Sequence, residues 1–132
     1  MSTNNQKNKT IEIWDPHFHL WDISENTTSG HDASQLFAPN DNPIYSMESY
    51  SKDISLAGSN FRHIGGAFCE AVSACHVGTS GDEYISACLA ETSYASKEFS
   101  TVKTNNIIIS TAPLEDVNIG KILTQLAEDP LV

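Results

Sequence analysis

Residues 11–22 read I-E-I-W-D-P-H-F-H-L-W-D. β-branched Ile11 and Ile13 open this stretch, and polar and aromatic side chains close it. This predicts a strand over 11–19 whose character changes along its length. Alternation across a strand places Ile11, Ile13, Asp15, His17 and His19 on one face, two apolar residues first and three polar ones after. Inward residues of a parallel barrel follow that order, with packed core near the strand's start and the functional site at its carboxyl end.

Downstream, residues 23–42 are rich in Ser, Asn, Thr, Asp and Gly without a sustained period, which predicts a long loop. Over 46–57, Met47, Tyr50, Ile54 and Ala57 recur at helical spacing, and Gly58 supplies a stop. Residues 63–72 are short and largely apolar, as in a strand buried on both faces of a parallel sheet, with Gly65 and Gly66 as its weak points. Ser80 and Glu83 match a capping box, and Ile85, Cys88, Leu89, Thr92, Ala95 and Phe99 line one face of the helix that follows. The β-branched run at 106–112 predicts a strand that Pro113 ends. Asp116 or Asn118 caps a final helix carrying Ile119, Ile122, Leu123 and Leu126, with Pro130 beyond it. Strands and helices in alternation describe an α/β fold with right-handed crossovers and a parallel sheet, whose functional residues gather at the carboxyl ends of the strands.

The 132 residues suffice for one domain, read as a polar tail at 1–10 and a folded part at 11–132. Seven basic residues against seventeen acidic ones give a net charge of -10, which repels both a phosphate backbone and an anionic bilayer. Neither nucleic acid nor membrane is therefore an expected partner. The tail lacks the apolar stretch of a signal peptide, and no run of about 18 apolar residues follows it. Cys69, Cys75 and Cys88 are odd in number and lack paired spacing, which fits a reducing, cytoplasmic setting better than a disulfide framework.

Two imidazoles at i and i+2 on a strand can converge on one ion, and neutral histidine nitrogen is a good ligand for zinc and related metals. A pair that meets only water or backbone has the same spacing, so the H-x-H of His17 and His19 does not decide between the two.

The surrounding residues say more. D-P-H-F-H-L-W-D at 15–22 resembles the opening of the amidohydrolase-related family, metal-dependent hydrolases with a TIM-barrel fold, and in particular its lactonase-like branch. G-G-A-F-C-E-A at 65–71 is similar to that family's second strand, which ends in Glu-Ala. I-I-I-S-T-A-P-L-E-D-V at 107–117 resembles its third strand and the Leu-Glu-Asp turn before a helix. The resemblance implies a partial (β/α)8 barrel of about three βα units. It also implies a divalent metal, zinc by preference, on His17 and His19, and Glu70 as a substrate-binding or metal-binding group. Asp15 and Trp21 match the family's opening as residues that hold the strand end in place. The implied reaction is attack of activated water on the carbonyl of a small-molecule lactone, ester or amide. Decarboxylases share the same opening, and some lactonases of this branch are thought to work without metal, which would leave the histidines to position substrate.

A complete barrel takes about 250 residues, and the family's catalytic aspartate and further histidines correspond to positions beyond Val132. The catalytic residues are accordingly unknown, and the chain reads as an amino-terminal portion. His76 is expected to be an exposed loop histidine, and Cys69 and Cys75 buried or idle thiols. Unpaired sheet edges and an uncovered inner face would favour self-association, and a non-catalytic barrel remnant binding a protein partner is the competing reading. A small flavodoxin-like domain is a third, for which no phosphate-binding loop is present.

Overall fold

The computed structural model describes residues 9–22, 43–71 and 80–132. Three strands, β1 (Ile11–Phe18), β4 (Phe61–Cys69) and β5 (Asn105–Ile109), form a parallel sheet in the order β1-β4-β5. Two short strands, β2 (Trp21–Asp22) and β3 (Ile44–Tyr45), pair antiparallel between β1 and the first helix, α1 (Met47–Ser55). Helix α2 (Gly81–Phe99) connects β4 to β5, and α3 (Ile119–Leu126) follows β5. The fold is mixed α/β, and the sheet of the described residues is open. The expected alternation of strands and helices is present; the small β2–β3 ribbon was not foreseen. The predicted loop over 23–42 lies outside the described residues, as do Cys75 and His76.

One face of the sheet carries the core. Phe18, Phe68 and Ile108 project from the three main strands onto Met47 and Tyr50 of α1 and Ala95 and Phe99 of α2. Phe18 stacks on Tyr50 with ring centroids 4.5 Å apart and meets Phe68 edge-on. Helix α3 buries Ile122 and Leu126 and packs beside α2. After it the Leu131 carbonyl accepts the Ile108 N–H on the outer side of β5, at 2.7 Å. Trp14, Ile107 and Ile109 remain 41–50% exposed. In β5 that exposure alternates with burial of Asn106 and Ile108, so one face of the strand is covered by helices and the other is open.

The capping expectations meet mixed outcomes. Ser46 caps α1, its Oγ accepting the Ser49 N–H, and Gly58 beyond the helix adopts φ 110°. Ser80 stands at the start of α2, but its hydroxyl makes no cap bond. Gly81 begins the helix in the left-handed region at φ 54°, which breaks the extended-to-helical step that a capping box requires. Asn118 likewise makes no side-chain cap to α3; Asp116 Oδ1 instead accepts the Asn118 N–H in a local turn.

His63 on β4 packs edge-on against Tyr50, and its Nε2 is buried with no partner among the described residues. Burial lowers its pKa, outweighing the opposing pull of a hydrogen bond to the Gly65 backbone and of the Asp15 charge. A histidine held neutral by the fold stabilises it above the unfolded pKa of about 6.5, and that contribution is lost as pH falls toward the folded value. Chemical denaturation of the metal-free protein at pH 7 and pH 5.5 should show this loss, and His63→Phe should reduce it.

Candidate metal centre

The carboxyl end of β1 is shaped by an irregularity at Pro16. Strand β1 pairs with β4 through Asp15↔Gly66 and next through Phe18↔Phe68, so two residues of β1, Pro16 and His17, face one of β4. Proline brings no N–H to a ladder, and a bulge at that point accommodates it. This corrects the expectation that Asp15, His17 and His19 share a face. Asp15 turns to the helix side, where its Oδ2 accepts the Tyr50 hydroxyl at 2.7 Å and its Oδ1 the His17 N–H at 3.0 Å. His17 and His19 alternate with buried Phe18 and Leu20 and therefore look to the open side.

The two imidazoles converge. His17 Nε2 lies 3.1 Å from His19 Nε2, with ring planes at 70°. His19 Nδ1 lies 3.0 Å from the Cys69 carbonyl at the end of β4. A carbonyl only accepts, so Nδ1 carries the proton, and in the neutral ring Nε2 is left with a bare lone pair. Ligands about 2.0–2.1 Å from one zinc ion, at angles between 90° and tetrahedral, lie about 2.9–3.4 Å from each other. The observed separation falls in that interval. The Cys69 carbonyl occupies the place of the outer-shell acceptor that fixes the tautomer of a metal-ligating histidine. Without an ion, His17 must donate its Nε2 proton to His19; to ligate, exposed His17 moves that proton to Nδ1.

The residues expected to hold the strand end do so. Asp15 ties β1 to α1 through Tyr50, and Trp21 stacks on Tyr45 across the β2–β3 ribbon with centroids 4.7 Å apart. Burial first, then the hydrogen bond from Tyr50 to Asp15, pushes the Tyr50 hydroxyl pKa well up. The Tyr45 hydroxyl is pushed up to about 12, by burial first and then by its hydrogen bond to Asp53 and that residue's charge. Replacing Tyr50 by Phe removes a hydrogen bond to a charged acceptor and should cost about 2 kcal/mol in a denaturant titration. It should also weaken zinc binding, because Asp15 then holds the His17 backbone alone.

Glu70 follows β4, and its N–H donates to the Ile109 carbonyl at 3.2 Å. Burial first, then the charges of Glu70 and Asp15, raises the Cys69 thiol pKa. Among the described residues no third His, Cys, Asp or Glu joins His17 and His19 in a group able to hold one ion. Two features escaped the sequence reading. Trp14 Nε1 donates to the Asn105 carbonyl across the sheet at 3.2 Å, and Glu91 is a buried carboxylate, 4% exposed. For Glu91 a signal existed, since it lies three residues after Cys88 and four before Ala95, on the helical stripe that reads as core.

Comparison of the chain with protein-family models, with curated proteins and with solved structures finds no match.

Proposed function

We propose that His17 and His19 are the first ligand pair for a divalent cation, zinc by the chemistry of the donors, in a hydrolase site of the amidohydrolase type. The observation that carries this reading is the 3.1 Å approach of the two Nε2 atoms, combined with the Cys69 carbonyl on Nδ1 of His19. In the metal-free chain the same separation serves an N–H···N hydrogen bond from His17 to His19; the metal reading adds that the tautomer set by the Cys69 carbonyl leaves the Nε2 lone pair of His19 able to ligate a cation. A cation bound here supplies Lewis acidity, activating water and polarising a lactone, ester or amide carbonyl. The Cys69 carbonyl orients the His19 ring, Asp15 holds the His17 backbone N–H, and Glu70 at the neighbouring strand end would bind substrate or metal.

The fold supports a partial (β/α)8 barrel as the setting. Neighbouring parallel strands follow chain order, α1 and α2 share one face of the sheet, and Trp14, Ile107 and Ile109, which are exposed, would line the inner wall of such a barrel. A flavodoxin-like sheet would carry helices on both faces. The return of the chain to the outer edge of β5 at Leu131 is where a further parallel strand of a barrel would add.

Zinc binding, lost in His19→Ala, is the expected result for these 132 residues, and zinc-dependent hydrolysis of an aryl ester or a simple lactone is expected once the barrel's remaining strands supply the catalytic aspartate. A completed barrel that binds zinc without any hydrolysis would keep the metal site and remove the hydrolase assignment. The exposure of Trp14, Ile107 and Ile109, together with a two-histidine ligand set, favours as second reading a non-catalytic chain that self-associates through this face. Sedimentation with and without zinc separates the two: assembly independent of zinc, with no turnover, supports the second.

A further inference from the structure

Glu91 plays no part in the metal reading, although burying a carboxylate is costly unless hydrogen bonds compensate. Its Oε1 accepts the Ala71 N–H at 2.6 Å, and Ala71 is itself 1% exposed. That N–H lies one residue beyond the bond from Glu70 to the Ile109 carbonyl, and two beyond Cys69, whose carbonyl holds His19 Nδ1. The next residue of α2, Thr92, reaches the Ser110 hydroxyl at 2.8 Å, just past β5. Consecutive buried polar residues of α2 thus grip the carboxyl ends of two strands, and one of those ends orients the histidine pair.

We propose that Glu91 is a positioning residue for the candidate metal centre. By holding the Ala71 N–H it fixes residues 69–71, and through the Cys69 carbonyl it keeps Nε2 of His19 bare and aimed at His17. The inference rests on the metal reading of His17 and His19. A residue that merely held the fold would affect stability without selecting a histidine tautomer.

The test is nitrogen NMR of the His19 ring in the metal-free chain, paired with titration of Co2+ alone. Glu91→Met fills the space without an acceptor and should convert His19 from one tautomer to a mixture, with Co2+ affinity falling about 10- to 100-fold, the usual effect of losing an outer-shell partner. Glu91→Gln keeps an acceptor and should preserve both readouts. Should the Met chain not fold, Glu91→Asp, which retracts the carboxylate by one methylene, must give the same loss. A folded Met or Asp chain with unchanged His19 signals overturns the proposal, as does a Gln chain that loses them. If the parent chain binds no Co2+, the metal reading fails, and the His19 signals alone decide for Glu91.

Discussion

Zinc affinity should fall at least about 100-fold in both His17→Ala and His19→Ala, a larger loss than outer-shell changes produce. Each variant leaves one imidazole and water in place of a chelating pair whose nitrogens are already 3.1 Å apart. The losses should be similar in size, because both rings donate one nitrogen to the same point. His63→Ala serves as the control. That ring packs against Tyr50 in the core, and its replacement should lower stability while leaving zinc affinity within a few fold. Ligating imidazoles must be neutral, so affinity in the parent chain should also weaken toward acid pH. If His17 and His19 meet only each other and backbone, the parent and both variants will bind zinc equally poorly in a calorimetric titration.

Gly65→Ala is expected to be the most destabilising single exchange in the sheet. Gly65 sits where β4 slips by one residue against β1, between Ile13↔His63 and Trp14↔Gly65, and adopts φ 149°. A Cβ built there would lie 1.9 Å from the Asn105 carbonyl oxygen, the acceptor that Trp14 reaches across the sheet. Backbone strain and forced separation of β4 from β5 together should cost about 3 kcal/mol or more. Equilibrium unfolding in urea measures it. A loss below 1 kcal/mol would mean that the two strands part easily, and the register described here would be wrong. Gly66→Ala should also be costly, since its Cβ would meet the Asp15 carbonyl at 2.4 Å and the Phe18 ring at 2.9 Å.

The two glycines show what was legible and what was not. An apolar run at 63–72 was enough to place a strand, and Gly65 and Gly66 looked like its weakness. In the folded chain they are its condition, because strand pairing brings backbone into the space where side chains would stand. The run of Ile107, Ile108 and Ile109 located β5 for a simpler reason: β-branched side chains suit a pleated surface that is half buried, as β5 is. Period-two alternation then failed at one residue. It placed Asp15 with the histidines, whereas Pro16 interrupts the ladder and the bulge sends the Asp15 carboxylate to Tyr50, 35 positions away in the chain. The H-x-H spacing correctly put His17 and His19 side by side, since no bulge falls between them. What fixes the tautomer, the carbonyl of Cys69, lies 50 residues on, and nothing local to residues 17–19 reports a tertiary partner of that kind. Glu91 was readable as a charge on a core stripe, but its target, the Ala71 N–H, appears only once β4 and α2 are packed together.

X-ray absorption of the zinc-loaded chain tests the central claim most directly, because it reports the atoms around the ion. The account predicts one bound zinc with two imidazole nitrogens at about 2.0–2.1 Å, completed by oxygen donors, and loss of the imidazole signature in the His17→Ala, His19→Ala double variant. A zinc environment made only of oxygens, or an imidazole signature that survives in the double variant, would contradict it.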